Sequence, residues 1–133
     1  MATSLFSFSR EEHLKSKKRI ENLFSEGRAV KSFPLRAQFK QVKDEHERTR
    51  LEIGFVVSKR SFNKAVDRNR IKRQMIEVFR LNRASLMETL EKENCYLDVM
   101  LIYIHREKVT YEYLEKTWKK LQSKVIDEIQ NKQ

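Results

Sequence analysis

A chain of 133 residues with 39% hydrophobic and 36% charged content has the length of one domain and enough apolar residues for a true core, which excludes a disordered chain. Its 29 Lys and Arg against 19 Asp and Glu give a formal net charge of +10, an excess that suits a phosphate-bearing partner better than an acidic small substrate. Cys95 is the only cysteine, no apolar run is long enough to cross a bilayer, and residues 1–9 lack the basic-then-apolar order of a secretory signal. Disulfide frameworks, cysteine metal sites and membrane spans are thereby set aside, and a reducing, cytoplasmic setting is expected.

Ser9-Arg-Glu-Glu12 reads as a capping box, within a segment (residues 1–13) expected to be loosely attached. Leu14, Ile20, Leu23 and Phe24 then form an apolar stripe, and Gly27 is placed to stop a helix running from about residue 16 to 26. Residues 33–42 alternate through Phe33, Leu35, Ala37 and Phe39 as a half-buried strand, with Pro34 marking an edge or a strand start. Residues 43–50 read as a charged hairpin loop, in which Asp44, Glu45 and Glu47 are solubilising charge. The next strand covers residues 51–57.

A helix is predicted to begin near Ala65. Residues 96–105 form the most apolar strand, buried on nearly both faces, with Cys95 packed at its edge. Thr110 caps a last helix in which Tyr111, Leu114, Trp118, Leu121, Val125 and Ile129 recur at core spacing, with residues 127–133 as a fraying end. The order is helix, strands, helix, strand, helix. It describes a single α+β domain with one helical crossover and a sheet of about four strands packed by helices.

The stretch from Lys59 to Arg83 has nine Lys or Arg against two acids, most of the excess charge of the whole chain. At 100° per residue, Ile71, Met75, Val78, Phe79 and Leu86 share one arc that should pack on the sheet. Opposite lie Asn69, Arg70, Arg73 and Arg80, with Glu77 among them, while Arg68 and Lys72 flank the buried arc. Guanidinium groups grip phosphate oxygens bidentately, and an Asn can read a 2′-OH or a base edge. A membrane surface is the weaker partner, because the segment lacks a broad Trp, Phe and Leu face. His13, His46 and His105 are scattered, and no carboxylate or His pair has metal-ligand spacing.

Arg68-Asn-Arg-Ile-Lys-Arg73, preceded by Ala65-Val66 and followed by Glu77-Val-Phe-Arg80, closely resembles the Arg-Asn-Arg motif of the bacterial ribonuclease P protein component. Ile53-Gly-Phe-Val-Val-Ser-Lys-Arg60 resembles that family's strand leading into the motif, and the first helix and the 98–104 strand match in order. The likeness covers residues 14–125, within one ribonuclease P protein-like domain over 1–133. Three positions depart from the family's pattern. Ser61-Phe-Asn-Lys64 replaces a common Gly turn, Ile76 stands where Arg is frequent, and Ile20 stands where an aromatic is frequent.

The resemblance implies a fold like the second domain of ribosomal protein S5, with an unusual left-handed β-α-β crossover. It also implies an RNA-enzyme cofactor that helps a catalytic RNA remove the 5′ leader from precursor tRNA, an endonucleolytic hydrolysis in tRNA processing. The RNA would hold the catalytic Mg²⁺, one protein would bind per RNA, and no cofactor would sit on the protein. Lys59, Arg60, Lys64, Arg68, Asn69, Arg70, Lys72, Arg73 and Arg80 are the expected contacts to the catalytic RNA. A leader cleft is expected between the first helix and the exposed face of the 33–42 and 51–57 strands, drawing on Lys17, Ile20, Phe24, Arg36, Lys40 and Phe55, with Phe33, Phe39 and Lys59 nearby. The alternative is a basic structural protein of the ribosome, which needs the same helix and no cleft. A stand-alone metal-dependent nuclease would need a carboxylate constellation that the spacing does not supply.

Overall fold

The computed structural model describes residues 12–42 and 49–131. Its first helix, α1 (Lys17–Glu26), starts where Ser16 Oγ accepts the Arg19 N–H at 3.3 Å, satisfying one of the donors a helix start leaves open. Gly27 ends it in an extended conformation, and its requirement is steric: a Cβ there would lie 2.3 Å from the Leu23 carbonyl oxygen and 2.8 Å from that of Phe39. The glycine lets the chain leave α1 directly against the sheet.

Four strands follow: β1 (Arg28–Ser32), β2 (Leu35–Val42), β3 (Leu51–Val57) and β4 (Tyr96–Tyr103). They form one sheet in the order β1-β2-β4-β3, with β2 antiparallel to β1 and β4, and β3 parallel to β4. The expected 43–50 hairpin is therefore corrected, since β3 pairs with β4 and not with β2. Residues 43–48 of that connection lie outside the described residues. The sequence reading also missed β1, whose side chains alternate only between half-buried and exposed. Pro34 sits in the turn before β2, where its missing N–H costs no ladder bond, and its carbonyl accepts from Ile104 N–H at 2.8 Å.

Between β3 and β4 the chain forms two helices, α2 (Ala65–Leu81) and α3 (Ala84–Lys92), where one was expected. Leu86, assigned to the α2 arc, is buried from α3 instead. The break at Asn82–Arg83 is held by polar bonds that an apolar count cannot show: Trp118 Nε1 donates to the Asn82 carbonyl at 3.0 Å, and Arg83 pairs with Glu12, both almost fully buried. The last helix, α4 (Tyr111–Asn131), is started by Thr110, whose hydroxyl accepts from Tyr113 N–H at 3.1 Å.

One face of the sheet carries Leu35, Ala37, Phe39, Leu51, Ile53, Phe55, Val57, Leu97, Val99, Leu101 and Tyr103, packed with α2, α3 and α4. Phe79 sits at its centre, edge-on to Phe55 at 5.8 Å and to Trp118 at 5.6 Å. Glu12 is buried, His13 bridges to Ile53, and α4 stays helical through Asn131 with Ile129 fully covered. Ser9–Glu11 of the capping box lie outside the described residues.

Candidate nucleic-acid interface

Helix α2 buries Ile71, Met75, Val78 and Phe79 and leaves Asn69, Arg70 and Arg73 exposed on the opposite side. Lys59, Arg60 and Lys64 are exposed in the loop leading to it, so charge runs continuously from the end of β3 along the helix. Not every cation of the motif points outward. Arg68 turns back to donate to the carbonyls of Phe62 and Asn63 at 2.8 and 2.9 Å, which fixes the loop that presents its neighbours. Arg80 forks Glu77 at 2.6 and 3.2 Å, and the hydrogen bond from Arg80 holds the Glu77 carboxyl below its ordinary range.

Lys72 is half-buried and borders a groove of about 270 Å³, shared with His13, Leu14, Lys15, residues 53–56 of β3, Ile76 and Met100. Burial, with the nearby Lys15 charge, pushes the His13 imidazole down from its usual value. Ile76 gives this groove an apolar wall.

The second face of the sheet follows from strand alternation. Arg36, Gln38 and Lys40 of β2 lie beside Ile102, Met100 and Asp98 of β4, which lie beside Val56, Gly54 and Glu52 of β3. Helix α1 covers the Asp98 half of this face. Leu23 packs with Leu14 and Met100, and Gln38 Nε2 donates to the Leu23 carbonyl at 3.3 Å. Arg19 Nε donates to Asp98 at 3.0 Å, its Nη2 pairs with the same carboxylate, and its Nη1 reaches Glu52 at 3.0 Å. Burial opposes the charge on Arg19, but the bonds from Asp98 and Glu52 outweigh it and raise its pKa. A single guanidinium thus neutralises two acids on adjacent strands and pins α1 to the sheet.

The other half of this face is left open. Ile20, Val56 and Ile102 are half-buried and pack against the Leu14, Leu23 and Met100 cluster, and Lys17, Ile20 and Phe24, at spacings of three and four, share one flank of α1. Phe24 is 47% exposed, and Arg36 is exposed across the opening. These groups outline the candidate cleft: half-buried Val56 and Ile102 on the sheet, the exposed Phe24 ring on α1 and the exposed Arg36 on β2.

Two expected cleft residues are elsewhere. Phe55 is on the core face with its ring on Phe79, and Phe39 is fully buried there as well, under the Arg28 guanidinium. Lys40 is on the cleft face but is tied to Glu26 at 2.6 Å, at the end of α1. The sequence reading missed Arg19, Val56 and Ile102. The signal for the last two was their parity, alternate to the core positions of the same strands.

The geometry agrees with three comparisons. The Ribonuclease P family model matches residues 8–126. A ribonuclease P protein component from Porphyromonas gingivalis is 30% identical over 115 residues, covering 86% of this chain and 83% of that protein. Among solved structures, the RNase P protein of Staphylococcus aureus superposes with a TM-score of 0.65 at 18% identity, covering 86% of this chain and 94% of the other. That of Thermotoga maritima gives 0.65 at 20%, covering 85% and 96%. At those identities the structures speak for the fold alone, a single α+β domain, but the family model spans nearly the whole chain: this protein belongs to the ribonuclease P protein family.

Proposed function

We propose that the chain is the RNA-binding protein subunit of the ribonucleoprotein endonuclease ribonuclease P. It holds the catalytic RNA on α2 and the 5′ leader of precursor tRNA in the cleft beside α1. The observation that carries this reading is the division of labour between two surfaces. One helix is packed on one side and bare on the other, where Asn69, Arg70 and Arg73 stand exposed. A separate cleft offers Ile20, Phe24, Val56 and Ile102 with Arg36, which suits a single strand held by base contacts and backbone charge.

The hydrolysis itself, with its Mg²⁺, is assigned to the RNA. This chain's part is to bind and orient. One protein per RNA in the cytoplasm completes the reading; no helix among the described residues is long and apolar enough to cross a membrane. The test is to sequence the RNA that co-purifies with the chain and with Arg70→Ala/Arg73→Ala. The native chain should carry one abundant structured RNA that cleaves precursor tRNA. The double variant should lose it, with the salt dependence of binding flattened by about 0.9 per phosphate contact removed. Recovery of ribosomal RNA instead, or an unchanged slope, refutes the assignment.

A further inference from the structure

The sheet carries a second aromatic surface beyond the cleft. Phe33, in the β1–β2 turn, meets His105, just past β4, with ring centroids 4.8 Å apart and planes inclined by 58°. The Ile104 N–H bond to the Pro34 carbonyl locks the turn to the end of β4, so the two rings are held by a shared backbone. Yet Phe33 is 51% exposed, while Phe39, Phe79 and Trp118 are covered almost completely. Residues that flank the same turn and the end of β4, namely Ala29, Val30, Lys31, Arg36 and Ile104, line a hollow of about 300 Å³. Lys31 and Arg36 face each other across β1 and β2, and both are exposed. No carboxylate lines the hollow.

A bare ring next to an apolar hollow with two cations at its rim fits a nucleotide: the base stacks and the phosphate lies between the charges. Arg36 stands on the sheet face that α1 half covers, so one cation serves both the hollow and the cleft. The strand order places the β1–β2 turn on the far side of the sheet from β3, the strand that leads into the basic helix. A leader that enters the cleft from the β3 side reaches this turn last.

Resting on the leader-cleft reading, we infer that Phe33 and His105, with Lys31 and Arg36, form a second single-stranded nucleotide site, for leader residues farther from the tRNA body than those in the cleft. The experiment measures binding of precursor tRNAs with leaders of graded length to the holoenzyme assembled from the full chain and its RNA. Affinity should rise in two steps as the leader lengthens. Phe33→Ala/His105→Ala should abolish the second step, weakening the longest leader by about fivefold or more, and leave short-leader and mature tRNA unchanged. Phe33→Trp should keep the second step. Phe24→Ala should remove the first step. If the double variant binds long leaders like the native protein while Phe24→Ala does not, the second site is refuted and the cleft stands. If Phe24→Ala is also without effect, both readings fall. An equal loss for short and long leaders shows that Phe33 and His105 serve something other than a distal nucleotide, and also overturns the inference.

Discussion

The basic helix and the cleft beside α1 are built on different principles. The outward face of α2 is fixed by rotation about one axis: once Ile71, Met75, Val78 and Phe79 face the core, Asn69, Arg70 and Arg73 must face away. The cleft has no such single determinant. Its residues, Ile20, Arg36, Val56 and Ile102, are gathered from α1 and three strands, and they are placed by how Arg19, Leu23 and Gln38 seat α1 on the sheet. The first surface depends on one helix being oriented. The second depends on the whole domain being folded.

The largest effect should come where the two surfaces share a support. Phe79 is fully buried between Phe55 and Trp118, so Phe79→Ala should cost about 3–5 kcal/mol in thermal or denaturant unfolding. Both RNA surfaces should weaken together, and only through unfolding. A Phe79→Ala protein of native stability that has lost RNA binding would mean that α2 is rotated from the orientation described. Phe24→Ala separates the surfaces. The ring is exposed, so stability should hold, while precursor tRNA loses about 1–3 kcal/mol of binding, the stacking of one base. Mature tRNA and the catalytic RNA should bind as before. Equal losses for precursor and mature tRNA would move the leader away from α1.

What was legible in the sequence follows the same division. The exposed face of α2 was readable because helical periodicity assigns inside and outside without knowledge of the partner. Arg68 was the exception, since its bonds to Phe62 and Asn63 depend on how the preceding loop closes. The cleft was only half readable. β3 is apolar at both parities, with Phe55 on one face and Val56 on the other, so alternation could not say which residue met α1, and the larger ring was the wrong choice. The break between α2 and α3 was hidden because Leu86 continues the apolar arc while the interruption is made by bonds to Trp118 and Glu12. Strand β1 was hidden because no residue in it is fully buried.

A smaller effect lies at the end of β4 that carries His105. The Tyr103 hydroxyl donates to the Glu107 carbonyl at 2.6 Å, and burial pushes its pKa up to about 12. A phenol whose pKa is raised on folding contributes stability that is fully present below the unfolded value near 10 and lost as the pH climbs toward 12. Tyr103→Phe should therefore cost about 1 kcal/mol at neutral pH and should remove part of the native protein's alkaline loss of stability between those values. Tyr103 lies beside Val57 and its ring meets Phe62 at 6.0 Å; Tyr103→Phe keeps that ring, so the α2 surface should keep its RNA affinity. An alkaline stability profile unaltered by Tyr103→Phe would show that this phenol does not gate the transition.

The smallest expected effect tells apart two cations that share a strand face. Arg36 and Lys40 are four residues apart on β2 and look equivalent in sequence. Lys40 is bound to Glu26 at 2.6 Å, whereas Arg36 is exposed at the mouth of the cleft, its Nη2 reaching only as far as Gln38 Oε1 at 3.3 Å. The hydrogen bond and charge from Lys40 hold the Glu26 carboxyl below its ordinary pKa. Whatever the pair contributes is therefore present above the usual carboxylate range and lost as pH falls through the lowered value. An exposed pair of this kind adds little and is screened by salt, so Lys40→Ala should leave both the melting temperature at 0.15 M salt and precursor tRNA affinity unchanged within error. Arg36→Ala should selectively weaken precursor tRNA. If Lys40→Ala matches Arg36→Ala in that assay, the Glu26 contact gives way when RNA binds, and the cleft extends along the whole of β2.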